Sequence, residues 1–286
     1  MKTYQQLWQS LIPLYAAGEA QAIVRMVLEV EYGMSLTDII CGKVNELSAD
    51  EGMDLEKIVE RLQKAEPVQY VLGRADFAGR TFHVEPGVLI PRPETAELCQ
   101  WIEEEGSPKR ILDICTGSGC IAITLALNIE EAEVEGWDIS EDALRIAQDN
   151  VELLGAKNVS IRYHDALKLT EETKASAQPI SEKEKWDIIV SNPPYICEKE
   201  RAEMERNVLE HEPEIALFVP DEDPLCFYRS IAHYAATALK VGGSLYFEIN
   251  PIYEKEMREM LSQLHFCHII TKEDAFGKKR MMRARK

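Results

Sequence analysis

Trp186-Asp-Ile-Ile-Val-Ser-Asn192-Pro193-Pro194-Tyr195-Ile196 reads as a strand that runs into a rigid loop. Ile188, Ile189 and Val190 are apolar on both faces of a period-two pattern, which predicts a strand buried on both sides. The ladder has to stop at Asn192, because neither following proline carries an N–H to donate. The first of those prolines also holds Asn192 extended. A stiff loop at the carboxyl end of a sheet strand is where open α/β sheets bind their ligands.

The chemistry of that loop is one-sided. Pro193 and Pro194 withhold donors, so the bend presents mainly acceptors. The side-chain oxygen of Asn192 and the carbonyl of Pro193 are suited to take both hydrogens of an –NH2 group. Tyr195 adds a flat ring for a planar amide or base to pack on. The fitting substrate has a planar, conjugated NH2 nitrogen. Asn-Pro also starts ordinary turns, so the rest of the chain has to decide between the two readings.

A second loop lies upstream, in Asp113-Ile-Cys115-Thr116-Gly117-Ser118-Gly119, where a first sheet strand meets a helix. Its glycines allow close approach of a ligand, and the helix N-terminus carries partial positive charge. Asp138 ends the next strand, where a carboxylate binds the hydroxyls of a ribose. Gly117, Gly119 and Ala122 also satisfy the dinucleotide pattern. Asp113 separates the two cases: beside the loop it repels a pyrophosphate and suits the ammonium of a methionine moiety. The expected cofactor is S-adenosylmethionine, held by Asp113, Cys115, Thr116, Gly117, Ser118, Gly119 and Asp138, with Asn192 reaching it from the facing strand end.

From Arg110 onward strand and helix patterns alternate: Ile111–Cys115, Ile121–Asn128, Val134–Asp138, Ala143–Leu154, Ser160–His164, the Asn192 strand and Ser244–Ile249. A helix to Leu264 and strands near Ile269 and Met281 complete the series. Alternation of this kind means a mostly parallel α/β sheet with both faces covered. Thr170 to Lys185, rich in Glu, Lys, Ser and Ala, reads as a surface loop. Upstream, Leu7, Trp8, Leu11, Ile12 and Tyr15 recur at helical spacing, as do Ile23–Leu28 and Leu55–Leu62, and Ser35 with Asp38 forms a capping box. Val68–Gly73 and Phe77–Val84 read as a hairpin around Ala78-Gly79. The expected division is a helical bundle over 1–74, a hairpin linker over 75–92 and a catalytic α/β domain over 93–286. The basic tail from Lys278 to Lys286 reads as the last strand of the sheet, its charges outward.

The chain has 286 residues, 45% of them hydrophobic, and a formal charge of −18. That composition supports a sizeable core. The acidic balance argues against a protein that grips bare nucleic-acid backbone. Seven cysteines form no C-x-x-C pair and no zinc spacing, so no metal is expected, and the natural compartment is the reducing cytoplasm. No apolar signal core or membrane span is visible in the sequence. A monomer is the expected state.

At these loops the chain resembles the release-factor glutamine methyltransferases. The resemblance is carried by Asn192–Tyr195, Pro67-Val-Gln-Tyr-Val-Leu-Gly73, Pro86-Gly-Val-Leu-Ile-Pro-Arg-Pro-Glu-Thr95, Asp113–Ala122, and Glu212-Pro213 with Ala216-Leu217, and it covers nearly the whole chain. It implies a Rossmann-like class I methyltransferase sheet behind a small N-terminal helical domain. It also implies methyl transfer to the side-chain amide of a glutamine in the Gly-Gly-Gln loop of peptide chain release factors. Asn192 and Pro193 would hold that amide, Tyr195 would pack on the glutamine, and Asp138 would bind the ribose. Three departures stand out: Cys115 where many relatives have Gly, Phe218-Val-Pro220 with Pro224 in place of a glycine-rich segment, and Asn250-Pro251 where Gly is usual.

Three rivals remain open. An adenine exocyclic-amine DNA methyltransferase uses the same Asn-Pro-Pro-Tyr logic on a flipped base, but residues 1–74 hold seven Lys and Arg against eleven Asp and Glu, the wrong sign for DNA. An NAD-dependent oxidoreductase fits the glycine loop but leaves Asn192–Tyr195 idle. A non-catalytic module would keep the cofactor site without the reaction.

Overall fold

A computed structural model of the chain describes residues 2–12, 14–104, 106–171 and 180–286. Of the expected surface loop at 170–185, residues 172–179 lie outside the described residues. Contacts divide the chain into two compact units: Met1–Arg74 with Met204–His211, and Ala75–Glu203 with Glu212–Lys286.

The first unit is helical: α1 (Tyr4–Gln9), α2 (Ala17–Tyr32), α3 (Leu36–Ile40), α4 (Ala49–Leu62) and α5 (Val68–Leu72). Thr3, Ser35 and Ser48 each close a capping box, with Gln6, Asp38 and Glu51 as reciprocal partners. Each such cap is worth about 1 kcal/mol. Leu7, Leu11, Val24, Val27, Leu28, Leu55 and Leu62 form the core. The hydrophobic spacing through Tyr15 suggested a longer first helix, yet α1 stops at Gln9. Val68–Leu72 is helical as well, rather than the first hairpin strand. Pro67 sits at its N-cap, Gly73 ends it at φ 67°, and Arg61 donates to the Tyr70 and Val71 carbonyls at 3.2 and 3.1 Å. The hairpin is made by β1 (Arg74–Phe77) and β2 (Arg80–His83), with Ala78 and Gly79 both at positive φ in the turn, as a type I′ connection requires.

The second unit continues through α6 (Pro93–Glu103), β3 (Arg110–Ile114), α7 (Cys120–Asn128), β4 (Glu133–Asp138), α8 (Glu141–Leu154), β5 (Val159–Tyr163), β6 (Trp186–Ser191) and β7 (Ile196–Cys197). The segment assigned to the first unit carries α9 (Arg206–His211). Then follow β8 (Phe218–Val219), α10 (Cys226–Ala238), β9 (Leu239–Glu248), α11 (Glu254–Gln263), β10 (Cys267–Glu273) and β11 (Lys279–Arg285). Helix α10 was not expected from the sequence.

Seven strands pair in the order β10-β11-β9-β6-β3-β4-β5. β9, β6, β3, β4 and β5 run parallel, and β11 is antiparallel to both its neighbours. Ile188 and Val190 pack into one apolar cluster with α6 and α7, while Ile189 packs into the opposite one with α10 and α11. That is the two-sided burial the apolar run required. The basic tail is an inner strand, and Arg283 is buried with its guanidinium 5.6 Å from the Trp101 ring, so not all its charges point outward. After β5 the chain crosses back to the far side of β3 at β6, which makes the gap between the ends of β3 and β6 the topological switch point. Among the described residues no helix is long and apolar enough to cross a membrane.

Candidate active site

β3 delivers Asp113 beneath the loop, not into its wall. Its side chain is fully buried; Oδ2 accepts from Thr116 Oγ1 at 2.6 Å and from Ala122 N at 3.2 Å. Burial pushes its carboxyl up to about 7, against the pull of those two hydrogen bonds. This corrects the expectation that Asp113 faces the ligand openly, because Oδ2 is needed to tie the loop to the start of α7. Oδ1 has no partner within the protein.

Above it, Cys115 occupies the left-handed region at φ 63°. The backbone therefore takes the path a glycine would, and the side chain packs against the core instead of breaking the loop. The two glycines differ. A Cβ at Gly117, φ 54°, would meet nothing within 4 Å, whereas one at Gly119, φ 79°, would lie 3.1 Å from Ile123 Cδ1 and 3.3 Å from Ala147 Cβ. Gly117 leaves room for a ligand, and Gly119 serves packing of α7 on α8. Asp138 at the end of β4 accepts from Gly117 N at 2.9 Å through Oδ2 and from Ser140 N at 3.0 Å through Oδ1. Burial raises its carboxyl above the usual range.

On the other side of the switch point, Asn192 Nδ2 donates to Thr95 Oγ1 at 3.2 Å. Thr95 Oγ1 donates to Glu248 Oε2 at 2.6 Å, and the Tyr195 hydroxyl donates to Glu248 Oε1 at 3.1 Å. Burial raises the Glu248 carboxyl, and burial beside that carboxylate raises the Tyr195 phenol far above its ordinary value. The departures noted in the sequence support this loop from behind. β7 pairs with β8, so Phe218-Val219 continues the loop as a parallel ladder. Asn250 donates to the Tyr195 carbonyl at 3.2 Å and caps the turn at Ile252.

Two clefts open at these strand ends. The first, with about 620 Å³ of open space, is lined by Gly87–Leu89, Arg92, Thr95, Cys115–Ser118, Asp138 and Asn192 among others. The second, about 670 Å³, is lined by Ile139, His164, Asp165, Ala166, Leu167, Pro194 and Phe227, and shares Cys115, Asp138 and Ile215 with the first. Of the expected site residues, Cys115, Thr116, Gly117, Ser118, Asp138, Asn192 and Pro194 thus line one or both clefts. Asp113, Gly119, Pro193 and Tyr195 line neither.

Sequence reasoning gave no role to Thr95, Glu248, Arg92 or Glu212. Buried Glu212 accepts from Ile90 N at 3.1 Å and from the Arg92 guanidinium, which fixes the Pro91-Arg92-Pro93 turn at the cleft. The available signal for Glu248 was an acid inside the otherwise apolar run Leu245–Ile249.

The groups present suit a ligand with a diol, a cation and a flat apolar part. Asp138 supplies a carboxylate, Asp113 Oδ1 is a buried acceptor without a partner, and Ile139, Ala166, Leu167 and Phe227 supply apolar walls. A diphosphate fits poorly: the cation lining the clefts is Arg92, already paired with Glu212.

The fold and this pair of strand-end loops define a methyltransferase, and residues 105–273 match the family described as a methyltransferase domain. Residues 13–73 match the PrmC N-terminal domain. The chain is 49% identical to a release factor glutamine methyltransferase of Bacteroides thetaiotaomicron, with 96% of each chain covered. It is 38% identical to that of Flavobacterium psychrophilum over 99% of this chain and 98% of the relative, and 38% identical to that of Streptococcus pneumoniae over 94% and 93%. The chain belongs to the release factor glutamine methyltransferase family.

Proposed function

We propose that the protein transfers a methyl group from S-adenosylmethionine to the side-chain amide nitrogen of the glutamine in the Gly-Gly-Gln loop of peptide chain release factors. The observation that carries the reading is Asn192: its Nδ2 is tied to Thr95 while the residue lines the cleft, so its amide oxygen is left to accept from a substrate N–H. An amide nitrogen is a poor nucleophile because its lone pair is delocalised. Holding the amide by its hydrogens aims it, and catalysis by positioning and fixed dipoles needs no strong base beforehand.

S-adenosylmethionine supplies an activated methyl on a sulfonium centre and leaves as a neutral thioether. Asp138 is the residue for the ribose hydroxyls, Asp113 Oδ1 for the ammonium, and the walls around Phe227 and Leu167 for the adenine. Asp165, also in the second cleft, is a further polar group there. Pro193 and Pro194 keep the loop stiff, and the Tyr195 ring, anchored through its hydroxyl, braces Asn192. The site of action is the cytoplasm, which suits seven free cysteines.

The test offers methyl-labelled S-adenosylmethionine with two acceptors in separate reactions, a whole release factor and adenine-containing duplex DNA. Label on the factor alone is expected. Label on DNA and none on the factor would favour the exocyclic-amine alternative and overturn this reading.

A further inference from the structure

Two residues outside the strand-end loops set the orientation of the Asn192 side chain. A threonine hydroxyl has one proton and two acceptor sites. Thr95 Oγ1 lies 2.6 Å from Glu248 Oε2 and donates to it. With that proton committed, Thr95 can only accept from Asn192, and it does so from Nδ2 at 3.2 Å. The amide is thereby turned with Oδ1 away from Thr95. The other oxygen of the same carboxylate takes the Tyr195 hydroxyl at 3.1 Å, so Glu248 anchors the loop at both its first and last residue.

The geometry points to Glu248, acting through Thr95, as a positioning residue that holds the Asn192 oxygen ready to accept from the substrate amide. The inference rests on the reaction proposed above. An ionised carboxylate is needed for it, since it accepts only and permits a single ordering of protons along the chain. A protonated Glu248, or a glutamine in its place, can donate to Thr95 Oγ1. The hydroxyl is then released to donate to Asn192, and the amide is free to turn its nitrogen toward the cleft. Glu248 is buried at the end of β9. The groups facing it are Thr95 and Glu94 of α6, Tyr195 of the loop, Arg280 of β11 and Tyr228 of α10, whose hydroxyl donates to the Glu248 carbonyl at 3.1 Å. The two hydroxyl donors and Arg280 favour the ionised form; burial and Glu94 oppose it.

Single-turnover methyl transfer to whole release factor tests this with Thr95→Val, Thr95→Ser and Glu248→Gln. Thr95→Val keeps the shape and loses the hydroxyl, and its rate is expected to fall about 10-fold or more, as for a misaimed reactant. S-adenosylmethionine affinity should change by less than about 2-fold, because the relay touches the acceptor and not the cofactor. Thr95→Ser should recover most of the rate. The wild-type rate should fall toward acid pH as Glu248 takes a proton, whereas Glu248→Gln should be slow with no such limb. Should Glu248→Gln not fold, the Thr95 pair decides alone. A folded Thr95→Val at the wild-type rate, while Asn192→Ala is inactive, would overturn the relay and leave the proposed reaction standing. If Asn192→Ala is also as fast as wild type, the amide-acceptor reading falls with it.

Discussion

Asn192 carries one acceptor that the proposed reaction needs, and two substitutions separate its roles. Asn192→Ala removes the oxygen and should lower turnover about 10²-fold, as deletion of a fixed catalytic hydrogen-bonding group does. Asn192→Asp keeps an acceptor but adds a charge that is costly to desolvate in a closed site; partial activity is expected. Single-turnover rates on whole release factor distinguish the two, with cofactor affinity expected to move much less than rate. Asp113 makes a different test. Its folded value is raised from 3.8 to about 7, so between those values the folded chain keeps a proton that the unfolded chain has lost. Stability therefore falls as pH rises through that window and is flat above it. Asp113→Asn keeps the acceptor for Thr116 and Ala122 and removes the titration, so the variant should gain on the wild type from pH 5 to pH 8 in chemical denaturation. A gap independent of pH would contradict the assignment. At this scale Asn192 and Asp138 were legible because their residue types suit only a few chemistries at a strand end. The depth of Asp113 and the Thr95–Glu248 pair were not, since both depend on contacts between residues far apart in sequence.

The loop between β3 and α7 shows how one motif divides its work. Gly117→Ala places a methyl where nothing lies within 4 Å, so it should weaken S-adenosylmethionine binding more than it weakens the fold. Gly119→Ala drives a methyl to 3.1 Å from Ile123 Cδ1 and should chiefly lower thermal stability. Each also carries the left-handed backbone strain of about 1–2 kcal/mol. Calorimetric titration and melting curves separate the pair, and equal effects on both readouts would contradict this division. The periodicity that revealed β3, β4 and β6 worked because these strands are apolar on both faces. It failed at Val68–Leu72, whose β-branched and aromatic residues favour a strand. There Pro67, Gly73 and the Arg61 guanidinium together hold a single helical turn that composition alone does not reveal.

For the whole molecule, alternating strand and helix patterns were enough to indicate a parallel sheet. The return of Met204–His211 to the helical unit was not readable, because it is a matter of long-range packing and leaves no periodic trace. The proposed substrate is a whole protein, and remote contacts contribute to transition-state binding. A short Gly-Gly-Gln peptide should therefore show kcat/KM far below that of the intact factor, and equal values would remove any docking role for the helical unit. The most direct measurement is tandem mass spectrometry of a release factor incubated with this protein and S-adenosylmethionine. The expected result is one methyl group on the side-chain amide of the Gly-Gly-Gln glutamine, absent when Asn192→Ala replaces the wild type. A methyl group on another residue, or an unmodified factor with folded, cofactor-bound wild-type protein, would contradict the account.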